Sequence, residues 1–177
     1  MLTTSPPTTT ATTTTGTFES RDHSKWLKDN ISTTLQDSIF TTTISGSGSN
    51  TATCTITKIK SITGDAEIVS ARGKTKYIYD ISCELEFKIT ISSGSDGSGS
   101  GGSCSGVINI EDITADLEYE SSYTLTTPPP KTNTALVKAV ELCVRKPTPS
   151  SSGGSGGIEG ILFKKLNHVH KLFLEKS

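Results

Sequence analysis

Little in this chain can build a large core. Aromatic residues are 6% of its 177 positions, with a single Trp, and hydrophobic residues are 32%, a low share that confines folding to less than the full length. No apolar run approaches the roughly 20 residues a membrane-spanning helix needs. The opening MLTTSPPTTT has neither a basic segment nor an apolar stretch, so no secretory signal is read there and a cytoplasmic location is expected. Neither sign of charge is in excess. With 17 basic and 18 acidic residues the formal charge is −1, which excludes a global field drawing the protein onto nucleic acid or an anionic membrane. Cysteine is limited to Cys54, Cys83, Cys104 and Cys143, and no two form a CxxC pair. Reduced thiols are therefore expected, with Cys54 and Cys83 as small core residues. The sequon Asn30-Ile31-Ser32 carries no weight without secretory entry.

What is abundant is Thr, Ser and Gly, and it is unevenly spread. Residues 1–17 lack the apolar surface that offsets the entropy of ordering, so they are expected to form a disordered Thr/Pro-rich tail. Three further polar stretches, 41–50, 92–105 and 148–157, read as flexible loops dividing a single domain at 18–177. Trp26, Leu27, Ile31 and Leu35 predict a short amphipathic helix with Ser24 as its N-cap. Cys54, Ile56, Ile59, Ile62, Ala66 and Ile68 read as a strand whose change of phase predicts a bulge or a strong twist. Gly73 supplies a turn. Tyr77, Tyr79, Ile81, Cys83, Leu85, Phe87, Ile89 and Ile91 then alternate with polar residues, which calls for a strand with one buried face.

Val107 to Ile113 and Tyr119 to Thr126 predict two shorter strands, the second stopped by Pro128 to Pro130. A helix capped by Thr132 or Asn133 carries Leu136, Ala139, Val140 and Cys143 and ends at Pro147. Ile158, Ile161, Leu162, Leu166, Val169 and Phe173 form the stripe of another. The expectation is an α+β fold: an N-terminal helix, a curved four-stranded antiparallel meander, and C-terminal helices covering one face.

Catalytic patterns fail on inspection. Gly73-Lys74-Thr75 ends like a phosphate-binding loop, but Ile68 stands where that motif requires its first Gly. Glu84 and Glu86 lie about 7 Å apart on one strand face, in an alternating polar pattern that describes a solvated sheet surface. His168 and His170, two apart on a helix, point about 200° away from each other and cannot share a metal; both read as surface residues. No enzyme, cofactor or metal site is expected.

Arg72, Lys74 and Lys76 make a dense basic cluster at the hairpin turn, where a loop tip can reach an acidic partner. RDHSKW (Arg21 to Trp26), ITKIKSITGDAEI (Ile56 to Ile68) and ARGKTKYIYD (Ala71 to Asp80) occur in an order that resembles the N-terminal domain of the activators of the 90-kDa heat-shock protein's ATPase. These are an Arg-Asp then Trp opening a helix, a Gly-acidic-Ala step in a long strand, and a basic turn before an aromatic strand. The resemblance implies a monomeric co-chaperone domain that grips the middle segment of that chaperone and stimulates its ATPase, with no nucleic-acid or membrane partner. Arg72 and Lys74 match basic residues of the family's turn and Lys76 neighbours them. Ala71 replaces an Arg. TTTTGTF replaces an Asn- and Trp-rich segment, leaving Phe18 as its aromatic counterpart. The alternative is a small apolar-ligand carrier with a pocket between the sheet and C-terminal helices, suggested by the long apolar row from Tyr77 to Ile91.

Overall fold

The computed structural model describes residues 18–44, 50–92, 102–144 and 157–176. In chain order the elements are β1 (Glu19–Asp22), α1 (Ser24–Leu35), β2 (Ile39–Ile44), β3 (Asn50–Ala71), β4 (Lys74–Ser92), β5 (Ser103–Thr114), β6 (Glu120–Thr127), α2 (Thr134–Val144) and α3 (Gly157–Leu174). The strands form one curved, open antiparallel sheet in the order β1-β3-β4-β5-β6, with β2 also on β3. The fold class is α+β as expected, but the sheet has six strands, not four. The additions are β1 and β2, both paired to the outer edge of β3: β1 lies against Glu67–Ser70 and β2 against Asn50–Thr55.

Between those two pairings the edge of β3 is sealed by α1 and its flanks. The Ile56 amide donates to the Ser38 carbonyl at one end, and at the other the His23 amide donates to the Ala66 carbonyl. The Ala66 amide donates to Ser24 Oγ at 2.8 Å. Lys28 Nζ reaches the Gly64 carbonyl at 3.0 Å. Backbone groups that a neighbouring strand would otherwise satisfy are thus met by a helix. The expected phase change falls in this same stretch, as register shifts at Ile56/Lys58 and Ile59/Ser61. Bulges are tolerated where only one side of a strand is laddered.

Ser24 is not the N-cap. It is the first residue of α1, and His23 occupies the cap position with no side-chain bond. Asp22 does the capping work one step earlier, accepting the Ser24 amide at 2.8 Å and the Ser24 hydroxyl at 2.5 Å. These bonds hold the Asp22 carboxyl below its ordinary range. The Arg-Asp-His-Ser run therefore ends β1, starts α1 and ties both to Ala66. Asn133 does cap α2, its Oδ1 accepting the Leu136 amide at 3.0 Å.

The apolar row of β4 is buried from Tyr79 to Ile91, with Tyr77 half-buried. It faces Leu27, Ile31 and Leu35 of α1, Leu136, Ala139, Val140 and Cys143 of α2, and Ile158, Leu162, Leu166, Val169 and Phe173 of α3 in a single core. Gly106 is needed within it. A Cβ there would fall 2.7 Å from the Phe87 ring, which lies across the glycine from the neighbouring strand. Thr41–Ile44 and Asn50, expected as loop, are strand; so are Ser92 and Ser103–Ser105, and Gly157 opens α3. Gly102 is described outside any strand or helix, its carbonyl accepting the Ile91 amide; the rest of those three stretches, with the 1–17 tail and Pro147, lies outside the described residues.

The candidate partner-binding hairpin and its support

β3 and β4 are joined by the two residues Arg72 and Gly73, with Ala71 opposite Lys74. Both turn residues have positive φ, 50° and 75°, as a two-residue hairpin turn matching strand twist requires. Because β5 first meets β4 at Asp80, Lys74–Tyr79 overhang the sheet by about 20 Å at the usual rise per residue. Arg72, Lys74 and Lys76 are all exposed on this overhang. Glu19 pairs with Ser70, so Phe18, 70% exposed, emerges beside the last rungs of the hairpin. All four predicted site residues thus lie at one end of the molecule.

β1 makes this overhang three-stranded through its pairing with Glu67–Ser70. The C-terminal turns of α3 also support it. Phe173, fully buried, packs edge-on to Tyr77 and Tyr79 at centroid distances of 5.7 and 5.6 Å and stacks with Trp26 at 6.0 Å. The Tyr77 hydroxyl donates to the Leu174 carbonyl at 2.7 Å. Lys176 Nζ sits 4.5 Å above the Trp26 ring. His170 is not a plain surface residue: its Nδ1 lies 2.7 Å from the Tyr79 hydroxyl. Burial lowers its pKa, with Asp116 opposing, and burial raises Tyr79 to about 12. His168 is exposed. This cluster is not legible in the sequence because its members are scattered from His23 to Lys176, although Tyr77 and Tyr79 fall visibly on one strand face and Phe173 on the apolar stripe of α3.

Gly64 stands where the hairpin leaves β5. Its φ is +109°, and a Cβ would fall 2.0 Å from the Asp80 carbonyl oxygen, so a side chain is excluded there by the backbone of β4. The Gly64-Asp65-Ala66 step is thereby explained as backbone geometry.

A model of the family described as "Activator of Hsp90 ATPase, N-terminal" matches residues 20–149, which takes in α1, the hairpin and α2. The chain belongs to this family. A crystal structure of Aha-1 from Plasmodium falciparum is similar in fold, at 15% identity, 88% of each chain and a TM-score of 0.54. No curated protein matches the sequence. The family stretch stops before α3, so the helix that braces the hairpin lies outside the matched residues.

The other candidates resolve into structure. Glu84 is ion-paired with Lys60 on the outer face, and Glu86 stands opposite Lys58. Gly73-Lys74-Thr75 is the turn and the start of a strand, not a strand-to-helix loop. The Asn30 side chain donates to the Trp26 carbonyl within α1. Among the described residues no three His, Cys, Asp or Glu side chains are grouped for a metal ion, and no helix is long and apolar enough to cross a membrane. All four cysteines are free and buried, and burial pushes Cys83 to about 12 and Cys143 to about 11. The apolar row of β4 that suggested a ligand carrier is covered by the chain's own helices. A cleft of about 410 Å³ does lie between the sheet and the C-terminal helices, as that alternative requires, but it is lined by Ile108 of β5, Tyr123 of β6, Val144 of α2, and Ile158 and Glu159 of α3, not by the β4 row.

Proposed function

We propose that this domain is a cytoplasmic, monomeric co-chaperone module that binds the middle segment of Hsp90 and stimulates its ATPase, with Arg72, Lys74 and Lys76 as contacts and Phe18 as an apolar neighbour. Family membership supports Hsp90 as the partner. The observation that carries the site is the overhang, which holds three exposed cations beyond the reach of β5, Arg72 in the two-residue turn and Lys74 and Lys76 on the first rungs of β4. The domain supplies no catalytic group. It acts by binding the ATPase-competent conformer more tightly than the resting one, and a preference of about 1.4 kcal/mol shifts that equilibrium tenfold.

Titration calorimetry against the isolated middle segment of Hsp90 tests this, beside Arg72→Ala/Lys74→Ala and a salt series. Binding that weakens with both is expected. Absence of binding, or binding indifferent to the substitutions and to salt, rejects the reading.

A further inference from the structure

The turn is not the only cationic feature at this end. On the inner face of the overhang, one rung below Ala71 and Lys74, a separate cleft of about 220 Å³ is lined by Glu19, Arg21, His23, Ile68, Ser70, Thr75 and Lys176. Four elements build it. β1 contributes Glu19 and Arg21, its junction with α1 contributes His23, the hairpin contributes Ile68, Ser70 and Thr75, and Lys176 comes from just beyond α3. Ser70 and Thr75 are paired across β3 and β4, so their hydroxyls stand side by side on that face. Two cations and two hydroxyl donors around an apolar floor make a seat for an oxyanion.

The chain itself shows which anion Arg21 takes. Glu19 Oε2 lies 3.3 Å from Arg21 Nη2, with both side chains exposed. A carboxylate held that loosely, across one intervening residue, is exchangeable for one from outside. Lys74 and Lys76 project to the opposite face of the hairpin from Thr75. The tip thus presents cations on both faces.

We infer that this inner cleft is a second anchoring site for an acidic peptide segment of the partner, whose carboxylate displaces Glu19 from Arg21 while neighbouring acidic residues pass over the turn. The inference rests on the proposed reading for the identity of the partner, but not for the chemistry of the seat.

The test is amide NMR titration of the whole chain with hexaglutamate, with inorganic phosphate at equal concentration as a second arm. Saturable shifts at Arg21, His23, Ser70 and Thr75 are expected with the peptide, weakened about three- to fivefold by Arg21→Gln and strengthened by Glu19→Gln. Strengthening on loss of Glu19 is an outcome that a merely structural role for Arg21 does not produce. No shift at these residues, or shifts indifferent to both substitutions, overturns the inference. So does phosphate alone reproducing the shifts with no advantage to the peptide, since the seat then takes a free anion. Calorimetry with the Hsp90 middle segment separates the two claims. Equal binding by wild type and Arg21→Gln overturns the inner anchor and leaves the turn's role standing. No binding by wild type, beside hexaglutamate shifts that respond to both substitutions, rejects the partner and retains the seat.

Discussion

Replacing Phe173 by Ala removes the one ring that touches the hairpin and α1 together. It is fully buried and contacts Tyr77, Tyr79, Trp26 and His23 at centroid distances of 5.6 to 6.1 Å. Truncating a buried Phe costs about 3–5 kcal/mol when the surroundings cannot collapse. Collapse is restricted here, because Tyr77 is tethered to the Leu174 carbonyl and Tyr79 to His170. A loss in the middle of that range, about 4 kcal/mol, is therefore expected in urea titration at pH 7.5. Trp26 is the only Trp, so its fluorescence reports on this cluster directly and should shift to the red as its stacking partner is lost. Hydrogen exchange should quicken in Lys74–Tyr79 more than in Leu85–Ile91, which β5 and the helices hold independently. A loss under about 1 kcal/mol, an unchanged Trp26 emission, or exchange quickened equally along β4 would refute the claim that α3 braces the overhang.

Gly64→Ala forces a Cβ to within 2.0 Å of the Asp80 carbonyl at φ +109° and should destabilise by at least about 1–3 kcal/mol from backbone strain alone, measured by urea unfolding. Gly106→Ala, which meets the Phe87 ring and the Thr124 carbonyl, should lower the melting temperature and alter the Phe87 ring signals. His170 has a folded pKa below its unfolded value of about 6.5, so its contribution is complete well above that pH and is lost as pH falls from there toward the folded pKa. Stability of the wild type should decline across that window, and His170→Gln should flatten the decline. The four buried thiols should resist a thiol-specific disulfide reagent at pH 7.5 and react only on unfolding, because burial holds them protonated. Arg72→Asn should stabilise the chain slightly, since Asn suits the positive φ of the turn, yet weaken binding to Hsp90; stability and affinity moving together would argue against a contact role for Arg72.

The legible parts of this fold were those whose pattern is local. The β4 alternation, the α3 stripe and the bulge in β3 follow from spacing alone, because burial of one face is a period-two or period-3.6 property. β1 and β2 were missed for different reasons. Glu-Ser-Arg-Asp has no apolar residue, and its strand conformation comes from the unpaired edge of β3 rather than from its own side chains. Thr41–Thr43 were read as loop by composition, although Thr is β-branched and suits a strand, and Phe40 and Ile44 are buried on one face. At the site, the basic residues and Phe18 were visible as residue types. The aromatic brace and the inner cleft were not, since both depend on α3 returning more than 90 residues later to pack under the turn.

Charge on the outer face of the hairpin changes sign within a short distance, and this sets how far the turn can act. Along the rungs, Ala71 faces Lys74, Val69 faces Lys76, Glu67 faces Ile78 and Asp65 faces Asp80, so the cations at the tip give way to two opposed carboxylates. Lys76 and Asp80 are four residues apart, about 13 Å along the strand. At physiological ionic strength the screening length is about 8 Å, so an acidic partner meets the tip largely free of Asp65 and Asp80, while Glu67, diagonal to Lys76 at about 7–8 Å, still subtracts. At 0.01 M salt that length grows to about 30 Å, and the acidic band subtracts from the attraction. Affinity for an acidic partner should therefore rise less steeply on lowering salt than three isolated cations would give. Asp65→Asn/Asp80→Asn should restore the steeper dependence without altering affinity much at physiological salt.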